Sequence, residues 1–411
     1  MTDHDLRGWV AAALGHEVTR WEQLTSGNSR TTWLGDAGPM PVVVRAEAGD
    51  CPFAATELTL AREAAVYAAL RDTPVRLPDL LAYDAGRDAL CMSRLDGRDD
   101  AWSPQVLDDL LAELARLHAV DVDALDLPGF ARTSLGDLEL WERVAQTRIA
   151  PASPYVDFAF DVLRAHHPGE PGRLVLCHGD AGPRNLLHDG ERLTGLLDWE
   201  FAHVGDPLDD LAWITVRAVL FGIELEDFGA HVRRVYAPAT GVELDERRLR
   251  YWQAVVILRN LVTCLSIIRN PVRGRDRTVH LTIVPPLQVM LMDALARLLE
   301  VELDAPAALE PVAGLPGLDV VEEIALGLPV LLDELTDRER RARTKRMQRL
   351  SRQLAETLAL LPAIAAAEAA ETADGGDEYA RLRRLARSAR RHQALYPATA
   401  AMAAARISDL R

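Results

Sequence analysis

Three side chains with catalytic potential lie close together near the middle of the chain. A short apolar run leads into the sequence HGD, which ends at Asp180; Asn185 follows five residues later, and a second apolar run ends at Asp198. Phosphoryl transfer needs one carboxylate that accepts the proton of a substrate hydroxyl, and further oxygen ligands that hold Mg²⁺ on the phosphates. Asp180 is placed for the first task, and Asn185 and Asp198 are placed for the second.

A simpler interpretation of these residues is that each Asp is only a turn or cap residue. An Asp at the end of a strand is more often a turn or cap residue than a metal ligand, and HGD or DWE alone occurs by chance. Here three motifs stand in order, each after an apolar run typical of a strand, and that is the context such motifs need. We therefore expect Asp180, Asn185 and Asp198 to form one site, with His178 supporting the loop rather than catalysing.

The complete pattern resembles a known family. HGDxxxxN (178–185), followed by DWE (198–200) and GDPLDDLAW (205–213), is similar to the aminoglycoside phosphotransferase family of protein-kinase-like small-molecule kinases. The string LLDWEFAHVGDPLDDLAW is most similar to the branch that includes kinase-like domains fused to some acyl-CoA dehydrogenases. The resemblance covers about residues 20–300. It implies an α+β, two-lobed protein-kinase-like fold, with ATP and Mg²⁺ as cofactors.

A small polar turn between two strand-like runs fits the loop that covers the nucleotide phosphates. It contains Ser26, Gly27, Asn28 and Ser29. In kinases such a loop binds phosphate through its backbone N–H groups. An ordinary β-hairpin turn is the alternative interpretation. The motifs downstream favour the phosphate loop.

The strand-like run PVVVR (41–45) ends in a cation where kinases carry a phosphate-binding lysine. Lys345 is the only lysine of the chain, so the residue in register is Arg45, whose side chain is permanently charged and suited to phosphate. A solvent-exposed arginine at a strand end is the alternative. The resemblance pairs Arg45 with Glu63, in the predicted helix 57–70, at salt-bridge distance.

The segment from Met92 to Gly97 follows a predicted strand and fits the hinge of the kinase family. The resemblance implies that backbone groups of this hinge bind the adenine edge, with Met92 and Arg94 as the candidate binding residues. An acidic stretch follows Gly97. The small lobe is therefore expected to end here.

Changes of periodicity and composition divide the remaining chain. Apolar residues at helical spacing begin after Ser103, and a Pro- and Gly-rich stretch after residue 305 indicates a linker. We expect a nucleotide-binding lobe at 1–97, a catalytic and acceptor-binding lobe at 98–305, and a helical appendage of unknown role at 306–411.

The sequence GDP predicts a helix start, with Asp206 as cap and Pro207 in the first turn. Asp210, four residues after Asp206, resembles the buried acid that braces the catalytic loop in the family. Asp209 is expected on the surface.

Composition limits the classes of function. The chain of 411 residues is 49% hydrophobic and carries a net charge of −16, which indicates several globular domains and argues against non-specific nucleic-acid binding. Its four cysteines form no CxxC pair, so neither a zinc site nor a disulfide framework is predicted. With no signal peptide or membrane span recognised, we expect a cytoplasmic protein that binds no membrane.

The sequence leaves the chemical identity of the phosphoryl acceptor open. Similarity to the acyl-CoA dehydrogenase branch favours a hydroxyacyl-CoA or a related hydroxy metabolite, and the broader family suggests an aminoglycoside or amino alcohol. An arginine-rich segment would suit an anionic acceptor, with a solvated helix end as the alternative; its members are Arg259, Arg269, Arg273, Arg275 and Arg277. A different class of function is a non-catalytic nucleotide-binding scaffold that works through C-terminal helices, which are also candidates for homo-oligomer contacts.

Overall fold

The N-terminal part of the chain forms an antiparallel five-stranded sheet. The computed structural model describes residues 3–24, 30–47, 51–99, 103–182, 184–190, 192–225, 227–272, 277–304, 323–324, 328, 338–371 and 377–393. The strands are β1 (Val18–Leu24), β2 (Thr31–Ala37), β3 (Met40–Ala46), β4 (Leu80–Asp84) and β5 (Ala89–Ser93), and their order across the sheet is β1-β2-β3-β5-β4. The α+β, protein-kinase-like fold expected from the motifs begins with this sheet.

Alternation along β3 separates the core of this sheet from the functional face. Val42, Val44 and Ala46 are buried in a cluster with Leu6 and Val10 of helix α1 (Asp3–Leu14). Because successive side chains of a strand point to opposite faces, Arg45 faces away from that cluster. The apolar run PVVVR therefore does two things: it builds the core and it carries a cation to the other face.

Helix α2 (Leu60–Leu70) covers that other face at Arg45. The helix begins three residues later than the sequence predicted, because the side chain of Thr59 accepts the backbone N–H of Arg62 and caps it there. Glu63 in the first turn is fully buried. The cap therefore fixes the register that places Glu63 under the sheet.

The catalytic motifs lie on two small antiparallel strand pairs. β6 (Val175–Cys177) pairs with β9 (His203–Gly205), and β7 (Leu186–His188) pairs with β8 (Leu193–Leu196). Each strand has three or four residues, too few for a stable sheet on their own. Their stability depends on the helices around them.

The helices nearest to these strands carry polar residues of the site. They are α3 (Pro104–Ala119), which begins after Ser103 as predicted and is capped by its side chain, α4 (Gly136–Arg148), and α6 (Leu208–Phe221). Helix α6 begins one residue later than the GDP sequence predicted: Pro207 is its N-cap residue, and Asp206 lies before it and accepts the N–H of Leu208 through Oδ1 at 2.9 Å. In the sequence, α5 (Pro154–Ala165) follows α4. After α6 come α7 (Phe228–His231), a π-helical turn (Val232–Tyr236) and α8 (Ala237–Thr240).

The chain forms two compact units. The first comprises Met1–Ala150 and His166–Val256, and it contains all the described candidate site residues. The second comprises Pro151–Ala165 and Ile257–Arg406. The lobe boundaries predicted at residues 97 and 305 stay predictions.

The second unit is helical. It contains α5, the C-terminal part of α9 (Glu246–Arg269), α10 (Thr278–Leu298), α11 (Arg338–Glu371) and α12 (Glu378–Gln393). Within it, Ser388 of α12 hydrogen bonds to the hydroxyl of Tyr155 of α5 at 2.7 Å, and Arg390 forms an ion pair with Asp293 of α10. The first part of the predicted appendage, 306–337, lies outside the described residues, apart from three positions.

Two of the described helices, α9 and α10, are long and apolar enough to cross a membrane. In the most apolar window of α9, 83% of the residues are buried inside the protein, and 56% are buried in that of α10. Core helices of soluble proteins pass the same test, so this finding is weak evidence for a membrane span.

Asp209 corrects an expectation: it is fully buried and not on the surface. Its Oδ2 lies 3.6 Å from Nε2 of His203, whose Nδ1 lies 3.6 Å from Oδ1 of Asp137 on α4. The imidazole thus bridges two buried carboxylates. Helix periodicity did not reveal this partner, because it lies on a different element.

Candidate active site

Asp180 lies on the loop after β6, where three side chains converge on its carboxylate. Asn185 donates from Nδ2 to Oδ2 at 2.6 Å and to the Asp180 backbone carbonyl at 3.1 Å. The indole N–H of Trp213 donates to Oδ1, and Arg217 Nε lies 3.2 Å from the same oxygen. The carboxylate is therefore held in one orientation, although it remains partly accessible to solvent.

Burial sets the proton affinity of this group. It raises the pKa of Asp180 to about 6, and the charge of Asp198 adds to that rise, whereas Arg217 and the hydrogen bonds from Trp213 and Asn185 oppose it. A carboxylate with a pKa near neutrality is ionised at pH 7 and is a better proton acceptor than an exposed Asp. These properties suit a general base.

Asp210 braces the loop from below, as its resemblance to the family's buried acid implied. Its carboxylate accepts the backbone N–H groups of His178 and Gly179, each at 2.8 Å, and Nε2 of His118 lies 3.0 Å away. Burial alone would raise the pKa of Asp210. The His118 hydrogen bond and charge, with the other contacts, outweigh burial and lower the pKa to about 2.

His178 is a structural residue, as expected. Its Nδ1 accepts the backbone N–H of Asp180 at 3.2 Å, and its Nε2 donates to the carbonyl of Leu197 at 3.0 Å. One neutral tautomer satisfies both bonds, and burial lowers the pKa of the ring, which favours that neutral form. The imidazole therefore ties the base loop to the segment before Asp198.

Gly179 is required by a close approach of two backbones. Its φ is +78°, and a Cβ placed on it would lie 2.2 Å from the carbonyl oxygen of Phe201. No other residue fits this position without moving the backbone. The glycine of HGD thus lets the base loop pack on the segment that follows DWE.

Asn185 and Asp198 start from neighbouring points of the backbone. Asn185 precedes β7 and Asp198 follows β8; the two strands pair Leu186 with Leu196, and the N–H of Leu197 donates to the carbonyl of Asn185 at 2.8 Å. Asp198 has a φ of +64°, an uncommon conformation for a residue other than glycine that is found at functional sites. Its side chain is 34% exposed. An amide oxygen and a reachable carboxylate fit the hard oxygen ligands that Mg²⁺ prefers.

Arg45 connects the sheet to Asp198, one of the two candidate metal ligands. Its Nη1 contacts the carboxylates of Glu63 and Asp198, the latter at 2.8 Å, and its Nη2 lies 3.7 Å from Glu200. The predicted ion pair with Glu63 is therefore present, and the alternative of a solvent-exposed arginine is excluded, because Arg45 is buried. One guanidinium balances three acidic groups.

Crowding of these carboxylates perturbs the site. Burial, with the charge of Asp198, raises the pKa of Glu200 to about 8, and burial also raises that of Glu63. Burial alone would lower the pKa of Arg45, but the surrounding carboxylates raise it above its ordinary value. Perturbed groups in one cluster are typical of functional sites.

The hinge segment is anchored at both of its candidate residues. Met92 is buried and pairs with Val43 of β3, and the N–H of Arg94 donates to the carbonyl of Pro41 at 3.0 Å. That N–H group is thus used within the sheet. The predicted adenine contacts of Met92 and Arg94 stay predictions.

The predicted phosphate loop, Ser26 to Ser29, lies outside the described residues. Arg30, which follows it, is buried and donates from Nη2 to the carbonyl of Leu58 at 2.7 Å. Arg259 is also buried, so the alternative of a solvated helix end is wrong for this residue, and its contact with an anionic acceptor stays a prediction. Arg273 and Arg275 lie outside the described residues.

The sequence reasoning missed three residues of the site: Glu200, Trp213 and Arg217. Glu200 is the last letter of the quoted DWE motif, and Trp213 ends the quoted GDPLDDLAW string. Arg217 lies outside both motifs. It comes seven residues after Asp210 on α6, and this helical spacing is the signal that it shares a face with Asp210.

Comparisons with known proteins identify relatives of this chain. The model of the phosphotransferase enzyme family matches residues 20–252. Acyl-CoA dehydrogenase family member 11 of Gallus gallus is 28% identical over 212 residues, which are 47% of this chain and 27% of that protein. An aminoglycoside 3'-phosphotransferase of Niallia circulans is 26% identical over 197 residues, covering 44% of this chain and 72% of that protein.

A solved structure shares the fold. The choline kinase LicA of Streptococcus pneumoniae superposes with a TM-score of 0.55 at 15% identity, covering 72% of this chain and 98% of that chain. This chain spans only about a quarter of the length of the Gallus gallus relative. Since the family match covers more than half of the chain, the protein belongs to the phosphotransferase enzyme family.

Proposed function

We propose that this protein is a small-molecule kinase that transfers the γ-phosphoryl group of ATP, in the presence of Mg²⁺, to a hydroxyl of a small molecule, with Asp180 as the general base. The observation that carries the proposal is the connection of Asp180 to Asn185 at 2.6 Å, on a loop that is tied to the segment bearing Asp198. The proton acceptor and the metal-type ligands thus form one unit. Such a unit meets the need of phosphoryl transfer for positioning and charge stabilisation.

Each residue of the site has a role in the proposal. Asp180 accepts the proton of the acceptor hydroxyl, and Asp210 holds the backbone that carries Asp180. Asn185 and Asp198 would hold Mg²⁺, which when bound supplies positive charge to the phosphates. Arg45, oriented by Glu63, contacts phosphate oxygens, as the lysine does in other kinases.

The acceptor in the proposal is a hydroxyacyl-CoA or a related hydroxy metabolite. Similarity to an acyl-CoA dehydrogenase family member supports this class, and similarity to an aminoglycoside 3'-phosphotransferase supports the alternative of an aminoglycoside or amino alcohol. ADP release with hydroxyacyl-CoA and with kanamycin distinguishes the two. Phosphorylation of kanamycin alone would exclude the preferred class.

Replacement of Asp198 tests the nucleotide site. We expect ATP to bind wild-type protein more tightly with Mg²⁺ than without it, and Asp198→Ala to remove this gain, because the carboxylate ligand is lost. Isothermal titration calorimetry measures both affinities. Asp189→Ala is the matched control, since Asp189 is an exposed carboxylate at the turn of the same hairpin. If ATP bound the wild type neither with Mg²⁺ nor without it, the assignment of a kinase site would be refuted.

Replacement of Arg45 tests its assignment to the phosphates. Arg45→Met should raise the KM for Mg²⁺-ATP by roughly 10–100-fold, because a charge-assisted contact is lost and three carboxylates lose their common partner. Arg45→Lys should restore part of the affinity. Initial-rate kinetics over a range of ATP concentrations provide the KM values. Equal KM values for wild type and Arg45→Met would show that Arg45 has only a structural role.

A further inference from the structure

Arg217 lies beside the proposed base, in the same compact unit. It extends from α6, and its Nε is 3.2 Å from Oδ1 of Asp180. Gly182 of the catalytic loop lies close to the aliphatic part of the Arg217 side chain, since a Cβ on Gly182 would lie 3.4 Å from Cβ of Arg217. The side chain of Arg217 remains 15% exposed. A permanent cation is thus fixed next to the group that receives the acceptor proton.

Aromatic side chains of the same helix support the guanidinium. Its Cζ lies 4.9 Å from the ring centre of Phe221 and 5.9 Å from that of Trp213. Trp213 is buried and donates to Asp180, whereas Phe221 is 45% exposed. Arg217 therefore stands between the buried base and an aromatic surface that faces solvent. Stacking on aromatic rings orients a guanidinium at little cost in hydration.

This placement has a consequence for the acceptor. Its hydroxyl has to come within hydrogen-bond distance of Asp180, and so the neighbouring atoms of the acceptor lie within a few ångströms of Arg217. A cationic acceptor would be repelled there, since like charges interact strongly in a partly buried site. A carboxylate or phosphate would instead form charge-assisted hydrogen bonds with the guanidinium, often two in parallel.

We propose that Arg217 determines specificity for an anionic acceptor: a compound whose reacting hydroxyl lies a few bonds from a carboxylate or phosphate. The inference rests on the proposed function and narrows its acceptor to a hydroxy acid or a phosphorylated hydroxy compound. The acceptor oxygen forms a bond to the γ-phosphorus, the bond from that phosphorus to the bridging oxygen breaks, and ADP leaves with the electron pair. The hydroxyl proton goes to Asp180.

Binding of matched small molecules tests the proposal. Calorimetry is performed on wild type and Arg217→Met in the presence of Mg²⁺ and a non-hydrolysable ATP analogue. Glycerate and glycerol 3-phosphate are the anionic probes, glycerol is the neutral partner of both, and choline is the cationic probe. Arg233→Met is the control, because Arg233 is a largely exposed arginine of the same unit.

In wild type and Arg233→Met, at least one anionic probe should bind roughly 10-fold more tightly than glycerol, as expected for one charge-assisted contact. Arg217→Met should lose this preference and keep its affinity for the ATP analogue. The tighter of glycerate and glycerol 3-phosphate identifies the anion. If the protein transfers phosphate to the preferred probe, Arg217→Met should raise the KM for that probe by a larger factor than it lowers kcat. This result would separate a role of Arg217 in acceptor binding from a role in support of Asp180.

Two results would overturn the proposal: no anionic probe binds wild type more tightly than glycerol, or the preference survives in Arg217→Met. Failure of the proposed function has a different signature, because the ATP analogue would then not bind wild type with Mg²⁺. Binding of the analogue by Arg217→Met also shows that the variant is folded. The two hypotheses are therefore judged by separate readouts.

Discussion

Asp180→Asn should reduce kcat by about 10²–10⁴-fold, the usual contribution of a positioned general base. The amide has nearly the shape of the carboxylate but cannot take up the acceptor proton. The indole N–H of Trp213 retains an oxygen acceptor in the variant, and Asp210 still holds the backbone of the loop. The loss should therefore appear in the chemical step.

Steady-state kinetics with an identified acceptor measure this effect, and calorimetry with Mg²⁺-ATP controls for the nucleotide site. We expect the affinity for Mg²⁺-ATP to change by no more than a few-fold, because Asp180 is not assigned to the nucleotide. A variant that keeps wild-type kcat would remove Asp180 from the proposed mechanism. Loss of nucleotide binding would instead indicate that the substitution disrupts the loop.

Asp210→Asn should lower the free energy of unfolding by about 3 kcal/mol or more, the cost of breaking a buried ionic network. The carboxylate of Asp210 accepts two backbone N–H groups and contacts His118. An amide presents only one acceptor oxygen, so at least one buried donor loses its partner. Urea denaturation measures the effect. Asp189→Asn, an exposed control, should stay within about 0.5 kcal/mol of wild type.

The same comparison has a defined dependence on pH. Asp210 has a pKa of about 2 in the folded protein and an ordinary value of 3.8. Since the folded pKa is the lower one, the stabilisation by the carboxylate is fully present above about pH 4 and is lost as the pH falls towards 2. The difference in stability between wild type and Asp210→Asn should shrink over that range. A difference that is constant with pH would mean that its cause is packing rather than charge.

The sequence predicted the site best where short-range rules decide the structure. The end of the strand-like run PVVVR located Arg45, and the order of HGD, Asn185 and DWE located the two candidate metal ligands near the base. Ser103 marked the start of α3, since caps are local interactions, and the GDP sequence marked the start of α6 to within one residue. These features depend on residues a few positions apart, and the sequence displays them directly.

Long-range partners were not predictable in this way. Asp209 was expected on the surface and is buried beside His203, and Arg259, for which a solvated helix end was one of two alternatives, is buried as well. Arg217 reaches Asp180 from another element, 37 positions along the chain. Which side chains meet across elements depends on the packing of whole helices, and hydrophobic periodicity reports only one helix at a time.

The contact between Arg45 and Asp198 would couple the binding of Mg²⁺ to the binding of nucleotide. The guanidinium contacts an oxygen of Asp198 at 2.8 Å, and this contact would oppose capture of a lone divalent cation. In the proposed mechanism, a phosphate group would give Arg45 another partner and would free that oxygen. By thermodynamic reciprocity, whatever nucleotide gains from the metal, the metal gains equally from nucleotide. An arginine held in this way would let the protein ignore free Mg²⁺ in its surroundings and respond to the Mg²⁺-ATP complex.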